Sequence, residues 1–221
     1  MAVSVTIEND VGFLKVTRAG RKTIRSTLNE LKDNKVHAVA IRIEANSIDD
    51  WNDSDFQWLR KLYPLPIVAA LVGQINGTEA FFSLSCDLRV GENTGTLTLP
   101  ESDNKTFLNS LQRLIGPQKS PPEANTCIEM ERALALGLIS RIASEKEDSW
   151  TLSQKVARTI ASRGKLATRI AKEAVWRGLD MPLEQALRYE TDLTLLLQTT
   201  KDREEGVRAF VEKRSPKFTG D

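Results

Sequence analysis

The sequence predicts an α/β fold, in which short apolar strands alternate with amphipathic helices. Residues 3–16 alternate polar and apolar side chains around the turn signal Asn9-Asp10, as in a β-hairpin. Residues 23–31 then have the spacing of an amphipathic helix, and residues 36–43 form an almost continuous apolar run. A strand, a helix and a second strand in this order indicate a right-handed crossover unit.

The composition excludes several classes of protein. In the 221 residues, 31 basic side chains balance 30 acidic ones, so we expect neither nucleic acid nor a membrane surface as a partner. No apolar run approaches ~20 residues, and the N-terminus lacks the pattern of a signal peptide. Cys86 and Cys127 are too few for a disulfide framework, and with the single His37 they predict no metal site. These features predict a cytoplasmic protein.

The stretch at residues 66–101 is the most informative part of the chain. It begins with the apolar run at residues 67–72, which is typical of a strand buried on both faces. Gly73 and Gly77 then form a turn before a predicted helix. The unpaired N–H groups of a helix start, with the positive end of the helix dipole behind them, can hold an anion or a developing oxyanion.

Glu101 ends this stretch and is a candidate general base. The preceding Pro100 ends the predicted strand and sets the direction of the glutamate. A carboxylate beside an N–H anion site suits proton abstraction. A solvated acid at a strand end, next to a glycine turn that binds nothing, is the alternative interpretation.

Together these residues resemble the core of the crotonase superfamily, the enoyl-CoA hydratase/isomerase family. The matching positions are Pro66, Ala69, Ala70, Gly73, Gly77, Cys86, Asp87, Pro100 and Glu101. The resemblance extends from about residue 3 to residue 218, with gaps after residue 45 and around residues 115–128. It implies a crotonase-like spiral of β-β-α units in residues 1–148.

The resemblance also implies a C-terminal helical oligomerisation region in residues 149–221. The sequence predicts four helices there, with apolar faces that could pack against a core or against other subunits. Helices of this region build trimers and pairs of trimers in the family. The resemblance therefore predicts a homotrimer or hexamer, or an assembly with a crotonase homologue.

For the substrate, the resemblance implies an acyl thioester carried on coenzyme A or on an acyl carrier protein. No cofactor is implied beyond the coenzyme A or phosphopantetheine of the substrate itself. Gly77 and the N–H of Thr78 would form one side of the oxyanion site. The family loop that supplies the second N–H donor is shortened here, and Ile48 or a neighbour would replace it.

Two departures from the family pattern bear on the reaction. Hydratases of the family use two glutamates, and Phe81 occupies the position of the first. Glu79 lies two residues earlier, roughly 200° around a helix, and we interpret it as an acid favourably placed in the first helical turn. Phe81 beside Glu101 would reduce the solvation of that carboxylate.

A single carboxylate suits double-bond isomerisation better than hydration, because one base can remove a proton and return it elsewhere. We therefore expect isomerase-like or dehydratase-like enolate chemistry with Glu101 as the base. The alternative is a catalytically inactive homologue that serves as a binding or structural subunit. The loss of the first glutamate, of the usual donor loop and of the glycine triplet favours this alternative.

Overall fold

A computed structural model of the chain describes residues 2–101, 111–112, 115–116, 123 and 125–220. The helix predicted from the spacing of Phe107, Leu108, Leu111 and Leu114 lies largely outside the described residues.

The chain begins with the predicted hairpin. Strand β1 (Val3–Glu8) pairs antiparallel with β2 (Val11–Val16) along its whole length. The two turn residues, Asn9 and Asp10, have φ angles of 48° and 63°. Two consecutive positive φ angles match the twist of a two-residue hairpin loop, which explains why Asn and Asp stand there.

A six-stranded sheet forms the centre of the fold. After the hairpin it contains, all parallel to β2, the strands β3 (Ala38–Ile43), β4 (Ile67–Leu71), β6 (Leu88–Gly91) and β9 (Arg141–Ile142). Helix α1 (Arg21–Asp33) makes the crossover from β2 to β3, and its apolar side chains are buried. Every residue of β4 is buried, as its continuous apolar run predicts.

A second, three-stranded sheet consists of β5 (Gln74–Ile75), β7 (Thr96–Thr98) and β8 (Cys127–Glu129). The order of apolar segments in the sequence predicts that the strand before Pro100 returns towards the main sheet, but β7 pairs with β5 and β8 instead. The pairing of β5 with β7 brings the segment before α3 (Gly77–Ser85) close to the segment that contains Glu101.

The sequence predicts a single helix at residues 53–62, but these residues form two kinds of helix. The α-helix α2 (Asp53–Gln57) begins with a capping box, in which Asn52 and Asp55 bond each other's backbone N–H groups. It continues as a π-helix at Trp58–Leu62, where the N–H of Tyr63 donates to the Trp58 carbonyl at 2.9 Å. A hydrophobic period of about 3.6 residues does not reveal this change of hydrogen bonding.

The rest of the chain is mainly helical. Its helices are α4 (Met130–Leu136), α5 (Ser149–Ala161), α6 (Lys165–Gly178), α7 (Leu183–Gln198) and α8 (Lys201–Val211). Helix α5 packs against the main sheet through Trp150 and Ala157. The four predicted C-terminal helices are confirmed. The sequence also predicts a short strand at residues 138–142, of which the structure forms only β9. None of the helices in the described residues is both long and apolar enough to span a membrane.

Candidate active site

A cavity of about 390 Å³ lies at the N-terminus of α3, next to the segment that follows β7. It is lined by Trp51, Asn52, Asp53, Gly77, Thr78, Phe81, Pro100, Glu101 and Asn125. Gly77, Thr78 and Glu101, which the sequence placed in a site, therefore lie around one cavity. Ile48, the remaining predicted residue, is not among the lining residues.

The first turn of α3 presents backbone donors at this cavity. Gly77 has a φ angle of 49°, which glycine adopts without steric cost. The side chain of Asn76 makes no capping hydrogen bond, and the first backbone bond runs from the N–H of Ala80 to the Asn76 carbonyl. In the part of the chain that the structure describes, no acceptor bonds the N–H of Thr78. This N–H can therefore donate to a ligand in the cavity.

Glu101 follows a segment that is fixed by its neighbours. Leu99 is buried, and its carbonyl accepts a hydrogen bond from the N–H of Asn125 at 3.0 Å. Pro100 then turns the chain, and the Glu101 side chain is exposed at the cavity. The expected desolvation of Glu101 by Phe81 is therefore wrong for this structure.

Phe81 forms an apolar part of the cavity wall. Its ring is only 9% exposed and stacks on the ring of Phe56, with centroids 5.1 Å apart. At this position, where the family resemblance implies a glutamate, the cavity thus has a packed aromatic ring. A carboxylate is consequently missing from the first predicted catalytic position.

The sequence did not identify the wall formed by Trp51, Asn52 and Asp53. Trp51 donates its ring N–H to Ser85 Oγ at 3.2 Å and packs edge-to-face against Phe82. These contacts fix the segment over α3. The capping-box pattern at residues 52–55 predicts the start of a helix, but no pattern in the sequence predicts that this start faces α3. Asp53 adds a second carboxylate to the cavity.

The N–H of Ile48 is already bonded inside the protein. It donates to Glu79 Oε1 at 3.2 Å, and the exposed fractions of Ile48 and Glu79 are 3% and 4%. Hydrogen bonds between the backbone of Ala19 and that of Ser47 and Asp49 hold the Ile48 segment in place. Glu79 is thus a buried acceptor, and its interpretation as an ordinary helix-start acid is incomplete.

Cys86 and Asp87 lie outside the cavity. Burial raises the pKa of the Cys86 thiol, which keeps it protonated. Asp87 accepts hydrogen bonds from the N–H of Ile67 at 2.8 Å and from the ring N–H of Trp176 at 2.7 Å. The Asp87 side chain therefore joins the start of β4 to helix α6.

No group of three or more His, Cys, Asp or Glu side chains that could hold a metal ion occurs among the described residues. The expectation of a metal-free site stays a prediction.

Comparison with known proteins places the chain in a family. The family model described as enoyl-CoA hydratase/isomerase matches residues 40–221. The (E)-benzylidenesuccinyl-CoA hydratase of Thauera aromatica is 35% identical over 166 residues, which are 70% of this chain and 63% of that protein. The short-chain-enoyl-CoA hydratase of Clostridium acetobutylicum is 26% identical over 220 residues, covering 94% of this chain and 81% of that protein.

Solved structures support the same fold. An enoyl-CoA hydratase from Bacillus anthracis superimposes with a TM-score of 0.82 at 24% identity and full coverage of both chains. A further structure, described as a putative enoyl-CoA hydratase from Streptomyces coelicolor A3(2), gives a TM-score of 0.83 at 22% identity and covers 100% of this chain and 95% of that one. The match to the Thauera aromatica hydratase spans just under two thirds of that relative's length. The crotonase-like architecture predicted from the sequence is confirmed, and the chain belongs to the enoyl-CoA hydratase/isomerase family.

Proposed function

We propose that the protein binds an acyl thioester, carried on coenzyme A or on an acyl carrier protein, and forms its enolate with Glu101 as the base. The observation that supports this proposal is the presence of the Thr78 N–H and the Glu101 carboxylate at one cavity. Family membership and the hydratase names of the relatives support a thioester as the substrate. Coenzyme A or phosphopantetheine would enter only as part of that substrate.

In the proposed reaction, the thioester oxygen accepts a hydrogen bond from the N–H of Thr78, with the positive end of the α3 dipole behind it. Glu101 takes a proton from the carbon next to the carbonyl, and the electron pair of the broken C–H bond moves into the enolate. In a 3-enoyl thioester, return of the proton from Glu101 to the γ-carbon moves the double bond to the α,β position and completes an isomerisation. In a 3-hydroxyacyl thioester, the β-hydroxyl group would instead leave with the proton from Glu101 as water, which completes a dehydration.

The apolar wall at Phe81 favours isomerisation over hydration. Adding water across a double bond is helped by two groups, one that activates water and one that handles the α-proton. Phe81, with its stacked ring, stands where the family resemblance implies the first of the two glutamates, so this carboxylate is missing. Asp53 is a further carboxylate at the cavity, so its contribution has to be tested separately.

The test is α- and γ-proton exchange in D₂O on a panel of acyl, 2-enoyl and 3-enoyl thioesters, followed by NMR or mass spectrometry. The native protein is compared with Glu101→Gln and, as the matched variant at the same cavity, Asp53→Asn. We expect exchange by the native protein that is lost in Glu101→Gln and retained in Asp53→Asn. Exchange that survives in Glu101→Gln would refute Glu101 as the base.

A second candidate function is an inactive homologue that binds a thioester or packs with an active relative. It is favoured by the engagement of the Ile48 N–H with Glu79 and by Phe81 in place of a carboxylate. In that case, thioesters would bind without proton exchange across the whole panel. Glu101→Gln would then leave the affinity for the thioester almost unchanged.

A further inference from the structure

The contact between Glu79 and Ile48 bears on how a substrate can bind. The family resemblance implies two backbone donors to the thioester oxygen, with Ile48 or a neighbour in the place of the first and Thr78 in the place of the second. In the structure Thr78 lines the cavity and Ile48 does not, and the buried carboxylate of Glu79 accepts the Ile48 N–H at 3.2 Å. The protein's own carboxylate thus takes the position of an acceptor that a ligand would otherwise supply.

The backbone around Ile48 leaves this N–H little freedom to turn elsewhere. The N–H of Ala19 donates to the Ser47 carbonyl at 2.9 Å, and the N–H of Asp49 donates to the Ala19 carbonyl at 3.1 Å. The Ser47 hydroxyl also donates to the carbonyl of Glu44 at 2.6 Å. The Ile48 N–H therefore stays directed at Glu79, and only a movement of the Glu79 side chain can release it.

Two physical effects oppose a substrate oxygen at this place while Glu79 is there. An N–H already bonded to a carboxylate must lose a charge-assisted hydrogen bond before it can bind a thioester oxygen. A carboxylate also repels the negative charge that develops on that oxygen in an enolate, and burial strengthens this repulsion.

We infer that Glu79 is a positioning residue that withholds the Ile48 N–H from the thioester. Of the two predicted backbone donors, only the Thr78 N–H then donates to the carbonyl oxygen. This inference rests on the proposed function, because it concerns the same thioester site. Removing the carboxylate returns a second donor to the oxyanion. A donor of this kind is worth about 10²–10³ in rate at other enzyme sites, which sets the upper limit of the gain.

Two substitutions distinguish the effect of the negative charge of Glu79 from the effect of its hydrogen-bond acceptor. Glu79→Gln keeps an oxygen that can accept from Ile48 but removes the negative charge. Glu79→Ala removes both and leaves the Ile48 N–H to water or to a ligand. We expect the affinity for a thioester to increase in the order native, Glu79→Gln, Glu79→Ala, with a gain of tenfold or more for alanine.

The matched control is Asp202→Asn. Asp202 is also a buried carboxylate that accepts backbone N–H bonds, from Thr219 at 2.7 Å and from Gly220, but it lies in the C-terminal helices. A general loosening of the fold by loss of a buried carboxylate would appear in both variants. A change confined to the Glu79 variants reports on the thioester site.

The experiment combines two readouts. Hydrogen exchange with mass spectrometry follows the Ile48 amide, and calorimetry follows the binding of butyryl-CoA, a saturated thioester that cannot be hydrated. We expect faster Ile48 exchange and tighter butyryl-CoA binding in Glu79→Ala, and neither change in Asp202→Asn. Proton exchange on butyryl-CoA, measured with the same variants, should rise in the same order as the affinity.

Three results would overturn the inference. Unchanged Ile48 exchange in Glu79→Ala would mean that the contact does not protect this amide in solution. The Ile48 amide of Glu79→Ala could also exchange faster without tighter binding, while the native protein binds butyryl-CoA. This result would refute the competition between Glu79 and the substrate but not the proposed function. Absence of butyryl-CoA binding by the native protein and by every variant would count against the coenzyme A form of the proposed function and would overturn the inference for coenzyme A thioesters.

Discussion

The rings of Phe81 and Phe56 stack with their centroids 5.1 Å apart and their planes at 18°. Phe56 is buried behind the cavity, and Phe81 forms part of its wall. Through this pair an apolar packing contact occupies a place where the family resemblance implies an acid. This departure from the family pattern is thus also a difference in how the core is packed.

We expect native hydration of crotonyl-CoA to be weak or absent, and Phe81→Glu to increase it. The substitution should also lower stability, because it removes an aromatic pair and buries a carboxylate, at a cost of about 2 kcal/mol or more. Absorbance of the enoyl thioester measures the first effect, and urea unfolding measures the second.

Phe81→Leu is the control for this prediction, since it keeps an apolar wall without adding an acid. It should lose some stability and gain no hydration. Rapid hydration of crotonyl-CoA by the native protein would contradict the interpretation of Phe81.

The buried ion pair of Asp87 and Lys172 predicts a large loss of stability when one partner is removed. Lys172 Nζ lies 2.9 Å from Asp87 Oδ2, and their side chains are 6% and 16% exposed. Asp87→Asn leaves the buried ammonium group of Lys172, on α6, with its hydrogen bond to the Leu65 carbonyl but without a compensating charge, and should lower the free energy of unfolding by about 3–5 kcal/mol. Urea denaturation at constant pH measures this loss.

The double variant Asp87→Asn with Lys172→Met tests the cause. Because it removes the stranded charge as well, it should be more stable than Asp87→Asn alone. Equal stability of the two variants would show that the loss of stability comes from the hydrogen bonds of Asp87 to Ile67 and Trp176, and not from its charge.

Local features of the fold were predictable from the sequence, because each depends on residues close together in the chain. The turn at Asn9 and Asp10 and the buried strand β4 are examples. The π-helix before Tyr63 was not predictable, since the period of the apolar residues fits both helix types. The membership of β7 in a separate sheet also depends on its partners, which are distant in the sequence.

The site shows the same division. A proline followed by Glu101 and a glycine before Thr78 could be read directly, and both residues reach the cavity. The hydrogen bond between Ile48 and Glu79 joins residues that are 31 positions apart. Helical spacing showed only that Glu79 does not point to the same side as Phe81. Contacts of this kind depend on how the loop packs on α3, which no local pattern specifies.

The C-terminal tail should detach from α8 at acid pH. The guanidinium of Arg214 and the N–H of Lys217 both bond the carboxylate of Glu205, and with Arg208 they hold its pKa well below the usual range. Because the folded pKa is lowered, this stabilisation is complete above the ordinary glutamate pKa, about 4.3, and weakens progressively as the pH falls from there towards the lowered folded pKa. Hydrogen exchange at the Lys217 amide, measured between pH 7 and pH 3, follows the detachment.

Glu205→Gln should loosen the tail already at pH 7 and remove most of the pH dependence. Glu204→Gln changes an exposed neighbour of the same charge and should behave like the native protein. A tail that stays protected in Glu205→Gln would show that other contacts, such as those of Asp202, are sufficient.

Helices α7 and α8 predict self-association, because they expose large apolar side chains that a monomer rarely leaves in water. These are Leu183, Leu187, Leu195, Leu196, Val207, Phe210 and Val211. The exposed fractions reach 75% for Leu183 and 85% for Phe210. Burial of these side chains between subunits would release about 25 cal/mol for each Å² of apolar surface. The number of subunits follows from the family resemblance, which implies a homotrimer or hexamer, or an assembly with a crotonase homologue.

Sedimentation equilibrium at micromolar concentration should give three or six times the chain mass of 24.7 kDa. Leu183→Asp and Phe210→Asp should shift the equilibrium towards the monomer, since each places a charge in the contact. Leu134→Asp changes an exposed leucine on α4, away from these helices, and should leave the assembly intact. A native protein that sediments as a monomer, or a loss of assembly only in Leu134→Asp, would refute the role of the two helices.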